Sequence, residues 1–474
     1  MIGLDLSYRK PCVIKSGYRF LVLCKSFFAI SAHTEIAALS SGSREDFRTT
    51  QNKMGLSPFI LVLVLSAFLQ GASSQFSAQP KLLGTFPYRS AGFLSLSRNT
   101  SAPGVKYDLL LSSFSFRESD VSVVLDVGAR LKNVSAIRPR SINKSMRWPN
   151  DIKVVPEQVL ESKVPYVIIP DGFLVPGKER GSLTLQPLFG GATSIISGTK
   201  GDWFYHMVEW VDMNKDGTLD ALTCKTQKPL LGSFKGNMVW YSNPKDHSIS
   251  TPWTENVIAV GPDVLFTFVK TNVSGVEREL IVTAEYFNLR VRIFWTESPK
   301  QDWSQQAMIK SRDIDTISKG DGRPFDVIVS DVNKDGSLDV VLSLNDASNG
   351  SVVIYEFPAD FRTGTFKRHV VASGYVEETG APNAGAPGSI QLMPTQDQSR
   401  KPSILVAGDD AGTVSILDPA KPTDPQDWHY TRTDVLHTEK SSTGTALIAD
   451  VDGDRRPEIF ASSYDEGLIY VYRV

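Results

Sequence analysis

The chain has 474 residues, with 50 Lys and Arg against 52 Asp and Glu, and is 41% hydrophobic and 22% charged. That is the composition of a folded globular protein, and it excludes a disordered tail, a collagen-like repeat and nucleic-acid coating by bulk charge. Aromatics at 10%, with 35 Gly and 27 Pro, point to many short strands joined by tight turns rather than to a helical bundle.

Taken in chain order, residues 1–53 read as an N-terminal extension outside the native protein, because Met54 immediately precedes the apolar run Leu56 to Leu69. That run is shorter than the ~20 residues a membrane span needs, and Ala72 and Ser74 after it are the small residues signal peptidase accepts at its minus-three and minus-one positions. Residues 54–74 are therefore expected to be a signal peptide cut after Ser74, leaving 75–474 as a secreted, extracellular chain with no membrane span. Residues 1–74 carry eight Lys/Arg and four Asp/Glu, so their loss moves the formal net charge from −2 to −6. A mildly acidic surface disfavours a phosphate backbone, and no nucleic-acid partner is expected. Of the three cysteines only Cys224 follows the cut, and its setting among Ala221, Leu222 and Thr223 reads as that of a buried small hydrophobe. Five Asn-x-Ser/Thr sequons, at Asn99, Asn133, Asn143, Asn272 and Asn349, all follow the cut and mark a candidate glycoprotein.

Three acidic segments then recur. Asp212 to Asp220 (DMNKDGTLD), Asp331 to Asp339 (DVNKDGSLD) and Asp450 to Glu458 (DVDGDRRPE) start 119 residues apart both times. Between and before them, 97–105, 156–164, 270–278 and 394–402 keep the flanking apolar pattern without the acids. Hairpins starting near 97, 156, 212, 270, 331, 394 and 450 make seven units of about 59 residues. A second element repeats in register, an apolar strand, a Pro and an aromatic opening the next strand, as in Val239 to Pro244 with Trp253, Ile293 to Pro299 with Trp303, Val353 to Pro358 with Phe366, and Ile416 to Pro419 with Trp428. Each unit is thus four strands. Seven such units that cannot bury their faces alone predict an all-β, seven-bladed β-propeller of four-stranded antiparallel blades over 75–474. The last unit supplies only three strands before Val474, so residues 79–86, including Lys81 to Thr85, are expected to close the seventh blade.

Within the acidic segments, oxygen-bearing side chains stand at alternate positions of a tight loop, with a carboxylate at the ninth. Hard oxygen ligands at this spacing suit Ca²⁺. The candidate ligands are Asp212, Asn214, Asp216, Thr218 and Asp220; Asp331, Asn333, Asp335, Ser337 and Asp339; and Asp450, Asp452, Asp454, Arg456 and Glu458, the seventh-position residues through their carbonyls. Ten carboxylates in three short loops repel one another without a cation, so about three Ca²⁺ ions are expected. An EF-hand is excluded because its twelfth-position Glu is replaced by Thr223, Leu342 and Ala461 and the flanks are strands.

These loops, the strand patterns around them and the Trp240-Tyr241-x-Asn243-Pro244 element resemble the FG-GAP/VCBS repeat superfamily, whose calcium-loop blades also build the integrin α-subunit propeller. Phe189 to Ala192 and Gly385 to Pro387 resemble fragments of the FG-GAP phrase. The resemblance implies that the calcium hairpins join the first two strands of a blade on one face and are structural, while ligands use the opposite face. There the turns between second and third strands offer Phe173, Glu285, Tyr286, Phe287, Asp346, Asp409, Asp410, Tyr464 and Asp465 as candidate ligand residues. Aromatics beside carboxylate acceptors suit a glycan or a basic protein segment. The expected function is a secreted, calcium-dependent recognition or cell-adhesion module without chemistry of its own. The alternative is an extracellular carbohydrate-active lyase or hydrolase with Glu285, Asp409 and Asp465 converging on the central channel. The six histidines show no zinc spacing, and His206, beside Trp203, Phe204 and Tyr205, is expected to pack beneath a strand.

Overall fold

The computed structural model describes residues 79–474, apart from 100–103, 105, 116–118, 174–179, 199–202, 229–232 and 274. The N-terminal extension, the signal peptide and its cut lie outside the described residues. The described strands form seven antiparallel sheets. Naming the strands of each blade A to D, blade one is Ala91–Arg98, Tyr107–Ser113, Val121–Val124 and Arg140–Asn143, and blade two is Lys153–Val154, Tyr166–Pro170, Leu183–Pro187 and Ser194–Ile195. Blade three has a broken A strand, Phe204–Tyr205 and Glu209–Val211, followed by Asp220–Gln227, Lys235–Ser242 and Thr254–Val260. Blade four is Leu265–Val273, Val276–Glu285, Arg290–Thr296 and Ile309–Thr316; blade five is Arg323–Ser330, Asp339–Asn345, Gly350–Glu356 and Lys367–Tyr375. Blade six is Ile390–Leu392, Ile404–Ala407, Thr413–Pro419 and Tyr430–His437. Blade seven takes Ala446–Ala449, Glu458–Ser463 and Leu468–Arg473 from the end of the chain and Lys81–Pro87 from its start.

The closure matches the expectation from the sequence. Lys81–Pro87 pairs antiparallel with Leu468–Arg473, from Lys81 opposite Arg473 to Pro87 opposite Leu468, with a bulge between Leu82 and Gly84. All seven hairpins between A and B strands fall at the expected places. One is tighter than expected: the strands of blade four run on to a Val273/Val276 pair, so 270–278 is mostly strand.

Burial explains why the B strands carry the strongest apolar signal. A B strand is covered on both faces by neighbouring blades, so it reads as a continuous buried run, as in Asp339–Asn345, whereas the outermost Thr254–Val260 alternates with solvent. Successive B-strand residues point to opposite neighbours. Leu280 and Val282 pack toward blade five and Ile281 toward blade three; Val340 and Leu342 pack toward blade four and Val341 toward blade six. The seven hydrophobic clusters among the described residues each bridge two adjacent blades, so the core is a ring of interfaces. The repeated aromatics Trp253, Trp303, Phe366 and Trp428 are all buried in it. Cys224 is buried as expected, and burial pushes its thiol well above the ordinary value.

Candidate calcium loops and ligand face

The three acidic loops join A and B strands on one face, in blades three, five and seven, and share one backbone network. The sixth-position N–H donates to Oδ2 of the first-position Asp: Gly217 to Asp212 at 3.1 Å, Gly336 to Asp331 at 3.1 Å and Arg455 to Asp450 at 3.0 Å. The fifth-position N–H donates to the third-position Oδ1 at 3.1 Å in all three (Asp216 to Asn214, Asp335 to Asn333, Asp454 to Asp452). The seventh-position N–H (Thr218, Ser337, Arg456) donates to Oδ1 of the fifth-position Asp at 3.0, 2.8 and 2.8 Å. The fourth position (Lys215, Lys334, Gly453) and the sixth (Gly217, Gly336, Arg455) all have positive φ, which folds each loop tightly enough to bring the first, third and fifth side chains together. Oxygens of Asp450, Asp452 and Asp454 lie within 4.8 Å of one another.

The ninth-position carboxylates are loop staples. Asp220 accepts the N–H groups of Met213 and Asn243, both at 2.9 Å; Asp339 accepts those of Val332 and Asn333 at 2.9 and 3.2 Å; Glu458 accepts that of Val451 at 3.3 Å. Burial raises each of the three to about 7. Asn243, the Asn of the Trp-Tyr-x-Asn-Pro element, also donates Nδ2 to the carbonyls of Val159 and Leu219, tying blade two to the first loop. The donor set fits Ca²⁺: in the third loop the first, third and fifth oxygens converge, and among the described residues no Lys or Arg forms an ion pair with Asp212, Asp216, Asp331 or Asp335, whereas Arg473 pairs with Asp452 and Asp454.

On the opposite face the turns between B and C strands lie where expected, but most of their acids are already engaged. Glu285 is fully buried and clamped by Arg290 at 2.8 Å and Arg292 at 2.6 Å, so it is not offered to a ligand. Asp409, raised well above the ordinary value by burial and then by Asp410, faces Asn345 Nδ2 at 3.4 Å. Asp410 accepts from Ser442 Oγ and from the N–H of Gly385. Asp465 accepts the N–H of Ser442, Asp346 caps its own turn through Ser348 and Asn349, and Tyr464 donates to the Phe114 carbonyl at 2.9 Å. Glu285 and Asp409 are thus buried and engaged by Arg290, Arg292 and Asn345, whereas Asp465 is exposed.

Two aromatic clusters do stand on this face. Phe114 packs against Trp148 and Phe173 with centroids 5.1 and 4.9 Å away, and Phe93 joins it at 5.5 Å. Across the face, Phe287 stacks on Phe234 at 4.4 Å, Tyr286 lies 5.0 Å from Phe287, and the Arg323 guanidinium sits 5.1 Å above the Tyr286 ring. A further group of charges, on or beside the A strands, was not singled out in the sequence. Lys153 pairs with Glu209 at 2.6 Å and Asp151 at 3.7 Å, and Asp326 feels both Asp151 and Lys153 although blades five and two are not neighbours. Burial raises Asp151 and Asp326 to about 6. The available signal was a charge inside an apolar inner strand. His206 lies edge-on to Phe93 at 4.9 Å with Nδ1 buried and unpaired, and burial lowers it to about 4.

Among the sequons, Asn133, Asn272 and Asn349 are exposed, whereas Asn143 donates Nδ2 to Gln186 at 2.9 Å, and Asn99 is half-buried after the A strand of blade one. Asn349 lies in the B–C turn of blade five, on the face opposite the acidic loops. Among the described residues no helix is long and apolar enough to cross a membrane.

No family model matches the chain, and no curated protein matches it. Solved structures similar to it include BBS1N in complex with ARL6DN, at 10% identity, covering 84% of this chain and 97% of that one with a TM-score of 0.45. The Dos1 propeller matches at 11% identity, 83% and 95% coverage and a TM-score of 0.43. The polysaccharide lyase Uly1 matches at 11% identity, 83% and 99% coverage and a TM-score of 0.40.

Proposed function

We propose that residues 75–474 are a secreted, FG-GAP/VCBS-type calcium-binding propeller that acts as a non-catalytic recognition or adhesion module for an extracellular protein or glycan. Ca²⁺ is structural in the hairpin loops. The loop residues would hold it through the first-, third- and fifth-position oxygens, and the ion would neutralise carboxylates that the fold forces together. The observation that carries the recognition reading is the pair of aromatic clusters, Phe114/Trp148/Phe173 and Phe234/Tyr286/Phe287, on the face away from the loops. Rings beside acidic turns suit sugar faces and hydroxyls or the cationic side chains of a protein segment.

The test is capture on glycan and basic-peptide arrays. Tyr286→Ala or Phe173→Ala should weaken capture by roughly tenfold, about 1.4 kcal/mol, with melting unchanged. Equal capture by wild type and both variants would remove this face from the function. A carbohydrate-active enzyme is the second reading, favoured by Asp151, Glu209 and Asp326 gathering around Lys153. It requires glycan cleavage that Asp326→Asn abolishes.

A further inference from the structure

The three loops differ at one chemically decisive position. Asn214 and Asn333 stand third in the first two loops, and each donates Nδ2 to Oδ2 of the fifth-position Asp, at 3.2 Å to Asp216 and 3.0 Å to Asp335. The third loop has Asp452 there, which replaces that donor with a second carboxylate and would set two unprotected oxygens against each other. Arg473 fills the gap. Its Nη2 lies 2.5 Å from Asp452 Oδ2, its Nη1 3.3 Å from Asp454 Oδ2 and its Nε 2.7 Å from Glu458 Oε1.

The position is fixed by the sheet. Arg473 is the cross-strand partner of Glu458, the ninth residue of its loop. The corresponding partner of Asp339 is Glu356, and in blade three the residue after Tyr241, which pairs with Ala221, is Ser242. Neither is a cation. The loop with the extra carboxylate is thus the one with an arginine opposite.

We propose that Arg473 is a positioning residue of the third calcium loop, replacing the missing Asn amide and holding the third- and fifth-position carboxylates side by side. Arg473 also pairs across to Lys81 in the closing strand, so the same residue links this loop to the strand that completes the ring. The inference rests on the calcium reading for its metal-dependent half only. The guanidinium contacts the outer Oδ2 atoms and leaves the Oδ1 atoms of Asp452 and Asp454 on the side of the backbone network.

The experiment is thermal unfolding of the purified protein and its Arg473→Met, Asp452→Asn and double variants, each in chelator and in excess Ca²⁺. Arg473→Met leaves Asp452, Asp454 and Glu458 without their guanidinium, so it should melt lower than wild type in chelator, recover most of the deficit in Ca²⁺, and therefore show the larger calcium shift. Asp452→Asn restores the amide, so the double variant should return to wild-type melting in chelator and to a wild-type calcium shift. Should Arg473→Met not fold, Asp452→Asn alone decides: its loop carries one charge fewer and its calcium shift should be smaller than that of wild type. Equal losses for Arg473→Met with and without Ca²⁺, or no rescue by Asp452→Asn, would overturn the assignment and leave Arg473 as an ordinary sheet contact. If Ca²⁺ moves none of the proteins, the calcium reading fails, while rescue in chelator still decides the role of Arg473.

Discussion

His206 and Glu285 show how a buried charge is disposed of in two different ways. His206 has no counter-ion and an unpaired Nδ1, and burial, with a smaller push from Lys153, holds its protonation down to about 4. Its folded value is below the unfolded ~6.5, so unfolding takes up a proton, and stability falls as pH drops from about 6.5 toward 4 by up to about 3 kcal/mol. Asp151 and Asp326, raised to about 6, act with the opposite sign over about pH 4 to 6. Comparing variants separates the two: urea midpoints for His206→Phe should fall less between pH 7 and pH 4 than those of wild type, and parallel slopes would mean that the histidine does not titrate as a buried group. Glu285, by contrast, is fully paired. Glu285→Gln leaves Arg290 and Arg292 without their carboxylate and should cost about 3 kcal/mol in chemical denaturation, whereas an unaltered midpoint would show that the pair is solvated.

At the scale of elements, the closing strand and the blade contacts carry the tightest constraints. Phe86 in Lys81–Pro87 is fully buried between blades seven and one. Phe86→Ala should cost about 3–5 kcal/mol in equilibrium unfolding, a loss that belongs to the whole ring because the strand, continuous in chain with blade one, is hydrogen-bonded into blade seven. A loss below about 1 kcal/mol would mean that Lys81–Pro87 does not close the blade. Gly350 opens the C strand of blade five so close to blade six that an added Cβ would lie 1.6 Å from the Ala386 carbonyl oxygen. Gly350→Ala should therefore separate the two blades locally and lower the melting temperature.

The B strands and the acidic hairpins were legible in the sequence because they are long, doubly buried runs beside acids at fixed spacing; their starts at 212, 331 and 450 fall on the loops themselves. So was the A strand of the last blade, Ala446–Ala449, but the shortest A strands were not. Lys153–Val154 and Ile390–Leu392 are too short to show a period of two, and the partners of Lys153 lie on other segments that local sequence does not place beside it. The state of Glu285, Asp409 and Asp465 was hidden for a related reason. Acids in turns read as solvated, yet their partners Arg292, Asn345 and Ser442 come from a strand or a neighbouring blade that local sequence does not place beside them.

For the whole molecule, seven interfaces of buried side chains make the ring, and three loops on one side hold ten carboxylates, of which, among the described residues, Asp452, Asp454 and Glu458 are ion-paired, each with Arg473. The proposed division of labour places structural cations on that side and leaves the aromatic face open to a ligand, with Asn349 at its edge. A Ca²⁺ ion bound only by the folded state adds about 2.7 kcal/mol at a hundredfold excess over its dissociation constant, so several ions would weigh heavily in the stability of a propeller whose one cysteine among the described residues, Cys224, is unbridged. The most direct measurement is thermal unfolding of the mature protein with Ca²⁺ and with chelator, alongside a count of bound ions. A clear upward shift with about three ions per chain is the expected result; no shift and no bound ions would contradict the calcium propeller and reduce the three loops to acidic turns.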